Sequence, residues 1–459
     1  MAEPRQIAVR RRSLKRLMRL LGATRSARLQ EAAEGARRAL AGRRLWHISS
    51  TAVGGGVAEM LHLLVGYAND AGIDTRWLVI DADTQFFAIT KRLHNRLHGA
   101  AGDAGELGRD EDAHYGSILE SNAAALGREI PPGDIVILHD PQTAGLTGHL
   151  ARQGARVVWR CHVGADLPNA HTREAWSFLL PHLAECQAIV FSRAAFVPPE
   201  LSSADVWIIQ PSIDPLSPKN HSLAPERVTD LLVRIGLIAG QSPVSAGAVL
   251  GGAGPFPIGG RVVVQVSRWD HLKDMMGVLH GFAEHVVGHS DARLALVGPS
   301  VEGVVDDPEG SRVLAECLAG WEALPERARR DVRLVALPMD DVVTNALMVN
   351  ATQRHASIVV QKSLQEGFGL TVSEAMWKSR PVVASAVGGI IDQVPPDAGV
   401  LLDDPYDLDL FGRVVRSLLE RPEQRAALGR QGRRHVRDHF LSDRHLIDYA
   451  RLVEHVSQK

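Results

Sequence analysis

Residues 357–377 read SIVVQKSLQEGFGLTVSEAMW. A β-branched run at 357–361 ends in polar residues, a Gly-x-Gly loop follows, and a helical pattern opens at its far side. Strand, glycine loop and helix in that order make the repeating unit of a parallel α/β sheet. The same alternation extends in both directions. Upstream and downstream of it, strands are expected at 262–266, 293–297, 333–337, 381–385 and 399–402. An earlier series is expected at 44–48, 76–80, 134–138, 156–160, 188–191 and 206–209, with helical patterns at 57–70, 86–98, 115–127 and 171–184. Between the series, 239–260 (AGQSPVSAGAVLGGAGPFPIGG) is rich in Gly, Ala, Ser and Pro and reads as a linker or long surface loop. The fold class is therefore α/β: two doubly wound, Rossmann-like domains facing a cleft. Ligands in such sheets bind beyond the carboxyl ends of the strands, and the cleft is the expected site.

The boundaries follow from this alternation. Residues 1–40 form a basic N-terminal extension. Residues 41–215, joined by a C-terminal helix at 441–459, form a first domain. Residues 216–260 form a linker region, and 261–440 a second domain. The length of 459 residues suits two large domains, and 45% hydrophobic and 23% charged residues are ordinary for a globular chain. No apolar run approaches the roughly 18 to 20 residues of a membrane span. The basic N-terminus is not followed by an apolar stretch of signal-peptide type. Three cysteines, Cys161, Cys186 and Cys317, are too few and too scattered for a disulfide scaffold or a Cys-rich zinc site. They fit a reducing compartment, and a cytoplasmic location is expected.

Net charge −2 argues against a nucleic-acid partner, yet the charge is uneven. Residues 1–44 hold 13 Lys/Arg against three Glu. In 10–21 (RRRSLKRLMRLL), Leu14, Leu17, Met18 and Leu21 recur at helical spacing beside a basic face. That segment reads either as a weak membrane-surface or partner helix or as a mobile or locally docked extension. A homodimer is left open.

Several chemistries lack their motif. There is no Gly-Lys dipeptide, so no P-loop; Gly54 and Gly56 begin a dinucleotide fingerprint that Glu59 breaks; and no G-x-S-x-G elbow occurs. His94 and His98 have zinc-like spacing on a helix but no third ligand, and read as a solvated face.

Five strand-end segments remain. Gly54-Gly55-Gly56 lets backbone amides approach a ligand at a helix start, or makes a plain tight turn. His139-Asp140-Pro141-Gln142 offers side chains to sugar hydroxyls, or Asp140 caps the next helix. Arg160-Cys161-His162 places His162 at the cleft, or in a structural role. Arg268 and Lys273, five apart, make a diphosphate clamp that stabilises a leaving group without a metal, or a solvated pair. Glu366-Gly367-Phe368-Gly369-Leu370-Thr371-Val372-Ser373-Glu374 puts two acceptor-only carboxylates around a glycine loop at a helix N-terminus, where amides and the helix dipole favour a phosphate.

With these segments in view, the E-x7-E element, the upstream Arg/Lys pair and the two-domain layout resemble the retaining GT-B glycosyltransferases of family 4. HISSTAVGGGVAEML (47–61), ILHDPQ (137–142), WRCHVG (159–164), QPSIDPLSPKN (210–220), SRWDHLKD (267–274) and 361–390 resemble its trehalose glycosyltransferring synthases. The resemblance covers about 43–440. It implies transfer of glucose from a nucleotide-glucose (ADP-, UDP- or GDP-glucose) to free glucose, giving trehalose with retention.

It also implies roles. Arg268 and Lys273 bind the donor diphosphate. Glu366 holds donor-glucose hydroxyls, with Gly367, Phe368, Gly369, Leu370 and Thr371 around the phosphate side. Glu374 binds the ribose. Gly55, Gly56, Asp140, Gln142 and His162 line the acceptor side. His162, Arg268, Lys273 and Glu366 form the catalytic set. No cofactor or metal is called for beyond the nucleotide-sugar co-substrate. The basic extension and the 239–260 insert match nothing in the family. A phosphate-using trehalose phosphorylase, another sugar, lipid or natural-product acceptor, and a non-catalytic sugar-binding regulator stay open.

Overall fold

The computed structural model describes residues 2–53, 55–241, 249–252, 254–301 and 308–459. Gly54 and most of 242–253 in the expected linker lie outside them. The chain divides into two units, Met1–Ser212 with Phe440–Lys459, and Ile213–His439.

The first unit holds strands β1 (Arg5–Gln6), β2 (Leu45–Ser49), β3 (Thr75–Val79), β4 (Ile135–His139), β5 (Arg156–Cys161), β6 (Ala188–Phe191) and β7 (Val206–Ile208). Their order across the sheet is β1-β3-β2-β4-β5-β6-β7. All neighbours are parallel except β1, which pairs antiparallel with β3 through Arg5↔Val79 and Gln6↔Leu78. β2 and β4 are buried on both faces, as a parallel sheet covered by helices requires. Helices pack on each face over cores that include Trp46, Tyr115 and Trp159 on one side and Leu61, Trp77 and Val453 on the other.

The second unit holds β8 (Val249–Gly251), β9 (Val262–Val266), β10 (Arg293–Pro299), β11 (Val332–Leu337), β12 (Ile358–Gln361), β13 (Val382–Ser385) and β14 (Val400–Leu402). Their order is β14-β13-β12-β9-β10-β11-β8. The six strands from β9 onward are parallel and β8 is an antiparallel edge. Counted from β9, this is the dinucleotide-fold order 3-2-1-4-5-6.

All twelve expected strands are present, within a residue or two at each end. The two antiparallel edge strands were not expected. β1 is two residues long and β8 three, too short to show a period-two pattern. The stretch read as linker also contains a helix, Pro225–Arg234, whose Leu231, Leu232 and Val233 are buried.

The basic extension is folded. Ser13 caps helix Leu14–Leu21, and Leu17 on it is fully buried. Helix Ala23–Leu40 buries Leu29, Ala36 and Leu40. Arg25 reaches the C-terminal helix Ser442–Gln458, where its Nε and Nη2 meet the Asp443 carboxylate at 2.8 and 2.6 Å. Leu14, Leu17, Met18 and Leu21 are thus at least partly covered by the first unit, while Lys15, Arg16, Arg19 and also Leu20 stay exposed. No described helix is long and apolar enough to cross a membrane.

Candidate active site

Each parallel sheet reverses its winding once, and loops leaving the two central strands diverge there to make a crevice. In the second unit that point lies between β9 and β12. The β9 loop carries Arg268 and Lys273; the β12 loop carries Glu366. Lys273 Nζ donates to Glu366 Oε2 at 2.6 Å, with both side chains largely enclosed. Leu364 N donates to Leu272 O at 2.8 Å, tying loop to loop. Beneath them Gln265 Nε2 holds the Lys273 carbonyl at 2.7 Å, and Lys362 N holds Gln265 Oε1 at 3.2 Å. Arg268 is placed differently: its Nη2 lies 3.0 Å from Asp270 Oδ2 and its side chain is 44% exposed. The structure therefore joins Lys273 to Glu366 and leaves Arg268 at the rim.

Glycines set the loop's shape. Gly369, at φ 84°, begins helix Leu370–Trp377, so the amides of its first turn point out of the helix end. Gly388, at φ 52°, passes so close under the loop that a Cβ would overlap the Glu366 carbonyl. Gln393 Nε2 donates to the carbonyls of Phe368 and, at 3.2 Å, Gly389, while its Oε1 accepts from Ser373 N and Oγ. Thr371 Oγ1 donates to Gln361 Oε1 at 2.8 Å. Glu374 sits a turn into the helix and is 3% exposed. Lys219 Nζ is 3.7 Å from its Oε1 and Gln353 Nε2 3.5 Å from its Oε2. Lys378 Nζ donates to Gln353 Oε1, Asn220 Oδ1 and the Glu374 carbonyl at 2.7, 2.9 and 3.1 Å. Burial lowers the Lys378 ammonium below the usual lysine range, against the pull of Glu374.

In the first unit the winding reverses between β2 and β4. Gly55, at φ 80°, starts helix Gly55–Asp70 there, and Gly55 and Gly56 are both exposed. At the end of β4, Asp140 adopts φ 64° and its carboxylate does not cap the next turn; Oδ1 accepts from His162 N at 2.7 Å. The carboxyl is enclosed although the residue keeps some exposed surface. That desolvation pushes it up to about 7, against the His162 amide and Arg160. Gln142 is half-buried in the short turn Pro141–Thr143.

His162, at the end of β5, is 9% exposed and does not stand alone. His139 Nδ1 is 3.1 Å from His162 Nε2, and His47 Nδ1 is 2.9 Å from His139 Nε2. Arg160 Nε lies 3.1 Å from His162 Nε2 and 3.4 Å from its Nδ1. Burial first, with Arg160 adding to it, lowers His47 to about 3 and holds His162 well below the usual range. His139 is lowered likewise, by burial and by its two imidazole neighbours. His445 and Tyr449 arrive from Ser442–Gln458: His445 Nδ1 meets Ser212 Oγ at 3.1 Å, and the Arg160 guanidinium lies 5.2 Å from the Tyr449 ring centre.

One expectation fails in this region. His98 is not on a solvated face: it is 5% exposed, and its Nδ1 lies 3.0 Å from the Gly164 carbonyl. The helix that carries it packs toward the β5 loop, which its sequence spacing does not reveal. No group of three or more His, Cys, Asp or Glu placed to hold a metal occurs among the described residues.

Comparison with known proteins bears on this arrangement. Residues 47–198 match the family model "Trehalose synthase, N-terminal domain", and 342–435 match "Glycosyl transferases group 1". The chain is 36% identical over 418 residues to a trehalose synthase of Rubrobacter xylanophilus, covering 90% of each chain. It belongs to the trehalose synthase family. More distantly, it is 28% identical over 385 residues to a trehalose phosphorylase of Pleurotus pulmonarius, covering 79% of this chain and 50% of the other. A UDP-forming trehalose-phosphate synthase structure from Burkholderia xenovorans shares the fold, with a TM-score of 0.67, 15% identity, and coverage of 90% of this chain and 98% of that one. The chain is a GT-B glycosyltransferase.

Within this trehalose synthase family member, sequence reading missed the company its site residues keep. His47, Arg160, Lys219, Asn220 and Lys378 all fall in the quoted segments but received no role, and His139 was read only as one of the side chains offered to sugar hydroxyls. For His47, His139 and Arg160 the signal was faint: polar residues inside otherwise apolar strands, at β2, β4 and β5. His445 and Tyr449 gave none, because nothing local links a helix at 442–458 to a strand at 45–49.

Proposed function

We propose that the chain moves glucose from a nucleotide-glucose to free glucose, forming trehalose reversibly and with retention at the anomeric carbon. The observation that carries this reading is the Lys273–Glu366 pair at 2.6 Å on a glycine loop that opens a helix. Together they offer a cation to a departing phosphate and an acceptor to sugar hydroxyls, with helix-end amides adjacent. Glu374, a turn further on, takes the ribose, and Arg268 swings from the rim to the diphosphate. Gly55, Gly56, Asp140, Gln142 and His162 serve the acceptor side.

In the transfer step the C1–O bond to the diphosphate breaks with its electron pair leaving on the phosphate. The acceptor hydroxyl oxygen forms the new C1–O bond on the same face. Its proton passes to the departing phosphate oxygen. Neutral His162 orients the sugar and takes no part in proton transfer. The cations stabilise the leaving charge, so no metal is assigned to the step. The chain works as a cytoplasmic enzyme on small sugars and without nucleic acid.

The test is product formation from ADP-, UDP- and GDP-glucose, each with free glucose, followed by NMR of the product. An α,α-1,1-linked disaccharide supports the reading, and the best donor identifies the base. The phosphorylase relative motivates one second reading, in which inorganic phosphate cleaves trehalose. Activity that needs phosphate and ignores all three nucleotide sugars decides for it.

A further inference from the structure

A second ion pair stands directly behind Lys273 and Glu366. Lys362, the residue after β12, is fully buried, and its ammonium meets the Asp274 carboxylate. The same Nζ donates to the Pro405 carbonyl at 2.6 Å. One cation thus ties together the loops that leave β9, β12 and β14. Asp274 is one residue past Lys273, and Lys362 is four residues before Glu366. Asp274 adopts φ 48° and ψ 48°, a left-handed conformation uncommon outside glycine that persists only where its surroundings hold it. Its Oδ1 caps helix Met275–His285 by accepting from Gly277 N at 3.0 Å, and its Oδ2 takes Lys362. The bend joins the short turn His271–Lys273 to that helix, so it sets where the Lys273 side chain leaves the backbone. On the other loop, Ser363 Oγ lies 3.4 Å from Glu366 Oε2. A buried ion pair is often no more stabilising than apolar residues of the same volume, so stability alone is a poor reason for a charge at Lys362.

We propose that Lys362 is a positioning residue: by holding the Asp274 carboxylate it fixes the left-handed bend that seats the Lys273 ammonium on Glu366, ready for a departing phosphate. Fully buried, it acts through Asp274 and Lys273. The departing phosphate rests on the transferase reading. The seating of Lys273 does not, and the two are separable by experiment.

The chain has seven lysines, few enough for an ammonium 15N NMR spectrum of lysine-labelled protein to be resolved. At low temperature an enclosed, ion-paired ammonium keeps its protons against exchange with water long enough to be seen, whereas an exposed one does not. The Lys273 signal is identified by its loss in Lys273→Arg. It is expected in the wild type, lost in Lys362→Met, and restored in Lys362→Met/Asp274→Asn, where no carboxylate is stranded and asparagine enters the left-handed bend readily. A Lys273 signal missing from the wild type, or persisting in Lys362→Met, overturns the proposal. Kinetics supply the second arm. Lys362→Met is expected to lower kcat about 100-fold, the scale of a 1 Å misplacement, with donor KM within about threefold, because Lys273 acts on the leaving charge more than on the bound donor. The double variant recovers most of that loss. A lowered melting temperature with kcat unchanged in Lys362→Met, or a double variant no better than the single one, overturns the positioning role. Where Lys362→Met does not fold, Lys362→Gln, which keeps a donor for the Pro405 carbonyl, takes its place with the same expectations. A wild-type chain that makes no disaccharide yet shows the expected Lys273 signals refutes the transferase reading and upholds the seating of Lys273.

Discussion

Replacing Gly388 with alanine tests whether the Glu366 loop is held by close backbone contact. Gly388 has φ 52° and ψ −142°, a region open essentially to glycine, and an L-residue there costs about 1–3 kcal/mol. Space is the larger problem. The new Cβ would overlap the Glu366 carbonyl oxygen and stand 2.8 Å from its carbon. Carbon atoms at rest are about 3.5–4 Å apart, so the carbonyl must retreat by roughly 1 Å. Neither side yields easily, since both are backbone and the loop is pinned by Gln393 and by Leu364 to Leu272. A total cost of about 3 kcal/mol lowers the melting temperature of a unit of this size by roughly 6–12 °C. A 1 Å shift of Glu366 away from Lys273 costs about 100-fold in turnover. Gly259→Ala is the control: φ is 82° but nothing lies within 4 Å of its Cβ, so strain alone acts and activity is retained. The assays are thermal melting and disaccharide formation from the best nucleotide-glucose. Gly388→Ala with wild-type turnover and a melt no lower than that of Gly259→Ala would refute the reasoning.

Other perturbations probe different parts of the molecule. Lys273→Ala and Glu366→Ala each lower kcat by about 100-fold or more while circular dichroism stays native, and the double variant is little worse than either single one; near-normal turnover in both single variants removes the site assignment. Arg25→Ala leaves the Asp443 carboxylate buried without its bidentate partner, which costs about 1–3 kcal/mol and is read as a lower urea midpoint at unchanged slope. Asp140 binds its proton more tightly folded, at about 7, than unfolded, so it subtracts stability progressively as pH rises from about 4 to 7. Asp140→Asn is therefore more stable than wild type at pH 8, and the difference vanishes near pH 4; a pH-independent difference in melting temperature contradicts the assignment.

The sequence by itself determined the two parallel sheets, because the period of β-branched runs between helical patterns is a local signal and each parallel strand must be apolar on both faces. It also singled out the strand-end loops as candidates for chemistry. Glycines, carboxylates and cations that end strands and open helices, as at Gly55, Asp140, Lys273 and Glu366, stand where ligands of such sheets bind, although a tight turn, a cap or a solvated pair would place the same residue types there. Only the tertiary structure decided what these residues touch. Lys273 and Glu366 are 93 positions apart in sequence and meet because β9 and β12 are neighbours in the sheet. Arg268, grouped with Lys273 by spacing alone, instead turns to Asp270. The basic segment 14–21, legible only as amphipathic, buries Leu17 within its own unit, packed against helix 23–40, which itself lies on helix 442–458. The histidine chain is the clearest case. His47, His139 and His162 lie on three strands that are neighbours in space, and Tyr449 comes from the far end of the chain. No local pattern encodes that meeting, since hydrogen-bond partners are chosen by strand order and helix docking, which depend on every core contact at once.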